Sequence, residues 1–204
     1  MKAFAEKFVL PVFLIIVFAL SIHSRLLGLA ADVDGFYHIK HAWLYFQNGI
    51  FQSAFPWVQY SVISQWSADI WYGFHVLIIP LTLFGDLAKG VEWGAVLITI
   101  AASLLVFAAL KKLGGRWPLF WLAVFWFASA DLLYRLTMLR PHPISLGLSL
   151  LLFAYLQEKK WLPVFLISFA IAWIHLALSW IPVLIVLAVI LIETLEKRGV
   201  DFKR

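Results

Sequence analysis

The apolar positions of this chain fall into long, nearly unbroken blocks separated by short charged clusters. That pattern suits helices crossing a bilayer, each needing about 20 mostly apolar residues for a core about 30 Å thick. Phe8 to Ser24 carries no Asp, Glu, Lys or Arg and predicts the first span. A signal peptide is the alternative, since Gly28-Leu29-Ala30 is a small-x-small site after a basic start. Against it, the apolar run is long and Arg25 interrupts the approach to that site. From His41 to Ala68 the chain again lacks charge, but Gln, Ser, Asn and Trp fill it, so it reads as a wet interfacial loop. Ile70 to Gly85 is short and holds Pro80, which predicts a re-entrant or interfacial segment. Glu92 to Leu110 reads as a span, and so does Trp117 to Tyr134, interrupted near its end by Asp131. Pro143 to Gln157 is a short third. One helix over Trp161 to Ile192 would run roughly 48 Å, so two short helices are expected, turning near Trp173, His175, Trp180 and Pro182.

Composition agrees. Of 204 residues 64% are hydrophobic and 13% charged, and the mean hydropathy is +0.94. A soluble domain carries about a quarter charged residues and roughly half apolar ones, so the bilayer is the solvent for most of this chain. The absence of Cys excludes disulfides and thiolate chemistry. The net charge of +5 reports topology. With six spans and the amino end inside, Lys2, Lys7, Lys111, Lys112, Arg116, Lys159, Lys160, Lys197, Arg198, Lys203 and Arg204 are cytoplasmic. Only Arg25, Lys40, Lys89, Arg135 and Arg140 stay outside, as the positive-inside rule requires. The expected fold is an all-α integral membrane protein with about six transmembrane helices and amphipathic juxtamembrane helices in its first outer loop. Both termini are cytoplasmic in this reading, and 1–204 is one module: span 8–27, outer loop 31–90, remaining spans 91–196.

In that orientation His23, His38, His41, His75, His142 and His175 all fall on the extracytoplasmic face or at outer helix ends, with Asp32, Asp34, Asp69 and Asp131. Read as a helix from Asp34, one narrow face holds Asp34, His38, His41, Tyr45 and Asn48; Phe36, Ile39, Trp43, Phe46 and Ile50 lie opposite. This predicts an interfacial helix with its apolar side in lipid and its polar side towards water or a cavity. Asp34 could act as an N-cap, but capping leaves the gathering of Asp32, His38 and His41 unexplained. The Asp32-x-Asp34 pair offers carboxylates to a hard divalent cation, Mg²⁺ or Mn²⁺, and a carboxylate can also serve as general base. In the second cluster Asp131 and Arg135 stand at i and i+4 and could simply pair, while Arg140 could snorkel. The functional alternative is an anion site for a lipid phosphate from Arg135, Arg140 and His142, joined by His175.

Taken together, Asp32-Val-Asp34-Gly-Phe-Tyr-His38 with Gln47-Asn48-Gly49, Tyr72-Gly-Phe-His75 to Gly85-Asp86, and Tyr134-Arg-Leu-Thr-Met-Leu-Arg140 form a pattern over about Arg25 to His175. It resembles the GT-C superfamily of membrane glycosyltransferases, and within it the catalytic subunits of oligosaccharyltransferases and their bacterial and archaeal relatives. The resemblance implies transfer of sugar from a polyprenyl-phosphate carrier at the outer leaflet. It implies Asp34 and Asp32 as base and metal ligands, with Arg135 and Arg140 holding the donor phosphate; His38 and His175 are the further candidate substrate-binding residues on this face. Two departures stand out. Arg140-Pro141-His142 replaces the acidic pair of the family's second outer loop, so His142 would substitute as ligand or the metal site would be absent. No W-W-D acceptor motif occurs, so the chain is expected to be the shared amino-terminal module without the family's C-terminal part.

Other functions remain beside this one. A non-catalytic module of the same fold would hold polyprenyl phosphate or scaffold a partner subunit; the missing acidic motif favours it. A transporter is disfavoured, since no span carries a polar residue near its middle and no inverted repeat is visible. Nucleic acid is not an expected partner, because the basic clusters are small and lie beside spans. The sugar and the acceptor are not readable from these residues.

Overall fold

The computed structural model describes residues 2–26, 33–51, 60 and 68–198. Among them the fold is all-helical, without strands. The helices are α1 (Lys2–Leu26), α2 (Val33–Asn48), α3 (Tyr72–Leu77), α4 (Leu87–Lys112), α5 (Pro118–Phe127), α6 (Ala130–Leu136), α7 (His142–Gln157), α8 (Trp161–Ile174) and α9 (Trp180–Lys197). A 3-10 turn, Ile79–Leu83, joins α3 to α4, and another, Leu176–Leu178, joins α8 to α9.

Two segments are long and apolar enough to cross a membrane, Leu87–Lys112 and Leu176–Lys197. The α5–α6 pair makes a third if it is one span. The remaining apolar helices, Phe8–Ser24, His142–Gln157 and Trp161–Ile174, are shorter. Two or three helices are thus long and apolar enough to cross a membrane, where six spans were expected. Apolar side chains cover its outside: Phe13 and Val17 on α1, Phe120 and Trp121 on α5, Phe165 and Phe169 on α8, and Leu184 and Leu187 on α9 are all exposed. In water such a surface would aggregate; in lipid it costs nothing.

The expected break in the middle of Trp161–Ile192 is present, at His175–Ser179. The break in Trp117–Tyr134 falls earlier than Asp131. Ser129 adopts extended backbone and its hydroxyl accepts from the Leu132 N–H at 3.0 Å, so it caps α6 and turns the pair by 102°. The Ile70–Gly85 segment is α3 plus the 3-10 turn and does not span. Asp86 then starts α4 by accepting from the Ala88 N–H at 2.8 Å.

Helix α4 is the centre of the molecule: 56% of its most apolar stretch is buried, against 6% for Leu176–Lys197. Its main partner is α7. The two approach closely because Gly147 has no side chain; a Cβ there would lie 2.8 Å from Leu105 Cβ. Small residues at such contacts are what lipid-embedded helices need, since lipid tails give no hydrophobic drive to association. Between α1, α4 and α6, His23 Nε2 meets the Thr99 hydroxyl at 3.0 Å, and Thr99 in turn meets the Leu136 carbonyl at 2.6 Å. A hydroxyl has one proton to give, so His23 is the donor of that pair. His23 therefore ties helices together rather than joining the other histidines.

Candidate functional site

Helix α2 does not lie with its polar face in water. It packs on α3, on the 3-10 turn and on α4, burying Ile39 and Ala42 among Phe74, Ile78, Leu81, Val91 and Ala95. The same contact buries the middle of the polar face: His38, His41 and Tyr45 are all but inaccessible, while Asp34 and Asn48 at its ends, and Phe36 and Phe46 opposite, stay exposed. The shared face read from the sequence is real, but its partner is the α3 segment rather than solvent.

That partner supplies Asp69 and His75. His75 Nδ1 lies 2.5 Å from Asp69 Oδ2, and its Nε2 lies 2.8 Å from His38 Nδ1. The Tyr45 hydroxyl donates to Asp69 Oδ2 at 2.8 Å, and the Trp71 N–H donates to Oδ1 at 2.9 Å, closing an Asx turn that fixes the carboxylate before α3 begins. His41 stacks on His75 with ring centroids 4.3 Å apart; its Nε2 is 3.8 Å from Asp69 Oδ2 and its Nδ1 3.3 Å from the Tyr37 hydroxyl. Among the described residues, His41, Asp69 and His75 form the group whose ligand atoms, within 4.8 Å of one another, could hold a metal ion.

The electrostatics follow from burial. Loss of water pushes His38 well below the usual imidazole range, helped by the charges of His75, Arg140, His41 and His142. Burial, with the His75 charge, pushes His41 down to about 4 although Asp69 opposes it. Burial alone would raise the Asp69 carboxyl, but the hydrogen bond and charge of His75, then His41 and the Trp71 N–H, outweigh it and hold Asp69 below its ordinary value. Burial and the Asp69 charge raise the Tyr37 and Tyr45 phenols. At neutral pH the cluster thus pairs an ionised carboxylate with neutral His38 and His41 and neutral phenols.

The residues singled out in the sequence fall around this cluster. Asp34, at the start of α2, accepts an ion pair from Arg140 Nη2 at 2.8 Å, so the first and second motifs meet. Asp32 lies outside the described residues. Arg140 and His142 are close enough to His38 for their charge to act on it. His142 packs edge-on against His175 at 4.4 Å, and His175 Nδ1 lies 3.2 Å from the Ser145 hydroxyl. Arg135 pairs with Asp131 at 2.8 Å on an exposed turn, as the i, i+4 spacing allows. It also lines, with His142, Trp126 and Leu178, an open cavity of about 180 Å³. Asp34 and His142 belong to no three-ligand group among the described residues. A guanidinium already neutralises Asp34, and a hard cation there would meet its repulsion. Asp69 and His75 were not singled out as site residues, although both were visible as polar groups in the first outer loop.

No family model matches the chain, and neither a curated protein nor a solved structure matches it.

Proposed function

We propose that the protein is a membrane glycosyltransferase of GT-C-like architecture that uses a polyprenyl-phosphate-linked sugar as donor at the extracytoplasmic surface. The observation that carries this reading is the Asp34–Arg140 ion pair, which joins the two sequence motifs beside His38 and His142. Arg140 meets Asp34 only until a stronger anion arrives. A donor phosphate takes the guanidinium fork, with Arg135 and His142 along the adjoining cavity, and releases Asp34. Asp34 then accepts the proton of the acceptor nucleophile as that atom bonds to the anomeric carbon. The bond from that carbon to the phosphate oxygen breaks, and polyprenyl phosphate leaves with its negative charge on the two arginines.

Six crossings with both termini cytoplasmic belong to this reading. The contacts His23–Thr99, Gly94–Leu139, Ser145–His175 and Gly73–Trp173 support grouping the histidines at one end of the bundle. The pairs Lys112–Glu158 and Lys159–Glu193 support grouping the basic clusters at the other. A non-catalytic module that only holds lipid phosphate is the second reading, favoured by the neutralisation of Asp34 in the ion pair.

Binding of a polyprenyl-phosphate sugar to the purified protein, compared across variants, tests the proposal. Arg140→Ala should weaken binding at least tenfold and Asp34→Asn should leave or strengthen it while abolishing transfer. Equal binding by wild type and Arg140→Ala would remove the phosphate from this site. Binding without any transfer in the wild type would select the non-catalytic module.

A further inference from the structure

We propose that His41 Nε2, His75 Nδ1 and the Asp69 carboxylate form a site for one transition-metal ion of the zinc class, held between α2 and the junction of α3 with the loop that enters it. Two imidazole nitrogens and one carboxylate are a borderline donor set; Mg²⁺ and Ca²⁺ prefer oxygen throughout. Three protein ligands leave one tetrahedral position for water or a substrate oxygen.

The strongest support is the direction of every other polar atom in the group. A metal-binding histidine holds its second nitrogen, and a ligating carboxylate its second oxygen, in hydrogen bonds to an outer shell. Here His41 Nδ1 faces the Tyr37 hydroxyl, His75 Nε2 faces His38 Nδ1, and Asp69 Oδ1 accepts from the Trp71 N–H. The atoms that converge are His41 Nε2, His75 Nδ1 and Asp69 Oδ2, the last of which also accepts from the Tyr45 hydroxyl. Two of their separations are 2.5 and 3.8 Å. Ligands about 2.0 Å from a tetrahedral zinc lie about 3.3 Å apart, so each of these separations changes by less than about 1 Å. Metal on His75 Nδ1 leaves the proton on Nε2, which then donates to His38 Nδ1. The ion therefore sets the tautomer of His38, the residue on which the charges of Arg140 and His142 act.

The proposal does not depend on glycosyl transfer, because its test reads metal alone. Protein purified without a polyhistidine tag and stripped with chelator is titrated with Zn²⁺, and with Co²⁺ for its ligand-field spectrum. One equivalent per chain is expected, with a tetrahedral Co²⁺ spectrum and no displacement by excess Mg²⁺. His41→Ala and Asp69→Asn should each lose the stoichiometric site, and His142→Ala should keep it. Tyr45→Phe keeps all three ligands and the ring packing, and should weaken binding about 10- to 100-fold. A wild-type protein that takes up no stoichiometric Zn²⁺ overturns the proposal. So does a site that survives both His41→Ala and Asp69→Asn, or one that is lost in His142→Ala.

Discussion

Replacing Gly73 by alanine separates local propensity from the packing that positions His75. By helix propensity alone the change is favourable by up to about 1 kcal/mol. Its surroundings reverse the sign. A Cβ on Gly73 would overlap Trp173 Cδ2 and lie 2.6 Å from the Trp173 carbonyl oxygen and 2.8 Å from Cε3. Because one of these atoms is backbone, rotating the indole is not enough, and α3 must withdraw from α8. Reaching ordinary contact at 3.4 Å needs a displacement of about 0.8 Å. Overpacking of this kind costs about 1–3 kcal/mol. His75, two residues on, moves with the helix and loosens its bonds to Asp69 and His38, adding about 1–2 kcal/mol. After the propensity gain is offset, the net expectation is a loss of about 1–4 kcal/mol, read as a lower midpoint of thermal unfolding in detergent. Trp173→Ala in the same background removes the two ring contacts but not the carbonyl, so it should restore only part of the loss. A Gly73→Ala protein as stable as wild type would refute the close approach of α3 and α8, and with it the placement of His75.

Three further outcomes follow from individual contacts. A double-mutant cycle on Asp34 and Arg140 should give a coupling below about 1 kcal/mol in unfolding, because the Asp34 side chain is 55% exposed and solvent screens the pair. The two substitutions should instead part company in donor binding. Trp126→Phe should cost about 1 kcal/mol or slightly more in the same unfolding assay, since the buried indole N–H donates to Ser103 Oγ at 3.0 Å. Lys159→Gly should raise stability by about 1 kcal/mol, because Lys159 holds φ 56° at the end of α7, a conformation that glycine adopts without cost; its 3.8 Å contact with Glu193 is exposed and adds little.

The elements were legible where a pattern is local. The polar face of α2 follows from the spacing of Asp34, His38, His41 and Tyr45, and the break near His175 follows from a charge-free run too long for one crossing. The bend at Ser129 was hidden, because a single capping hydroxyl inside an aromatic, apolar run does not disturb hydropathy, whereas the charge of Asp131 two residues on does. The candidate site was legible by half. Asp34 and Arg140 were marked by their motifs, and they meet. Asp69 and His75 sit on opposite sides of a loop-to-helix junction, at a spacing that matches no helical face. What unites them with His38 and His41 is the docking of α3 on α2, a long-range contact that no periodicity encodes.

The most direct test of glycosyl transfer at this site is turnover by the wild-type protein in proteoliposomes. The substrate is a polyprenyl-phosphate sugar labelled in the sugar, and the readout is label appearing in acceptor while free polyprenyl phosphate accumulates in equal amount. Wild-type protein is expected to give both, and Asp34→Asn and Arg140→Ala neither. Turnover unchanged in both variants, or no label leaving the carrier with wild-type protein, would contradict the assignment of transfer to Asp34 and Arg140.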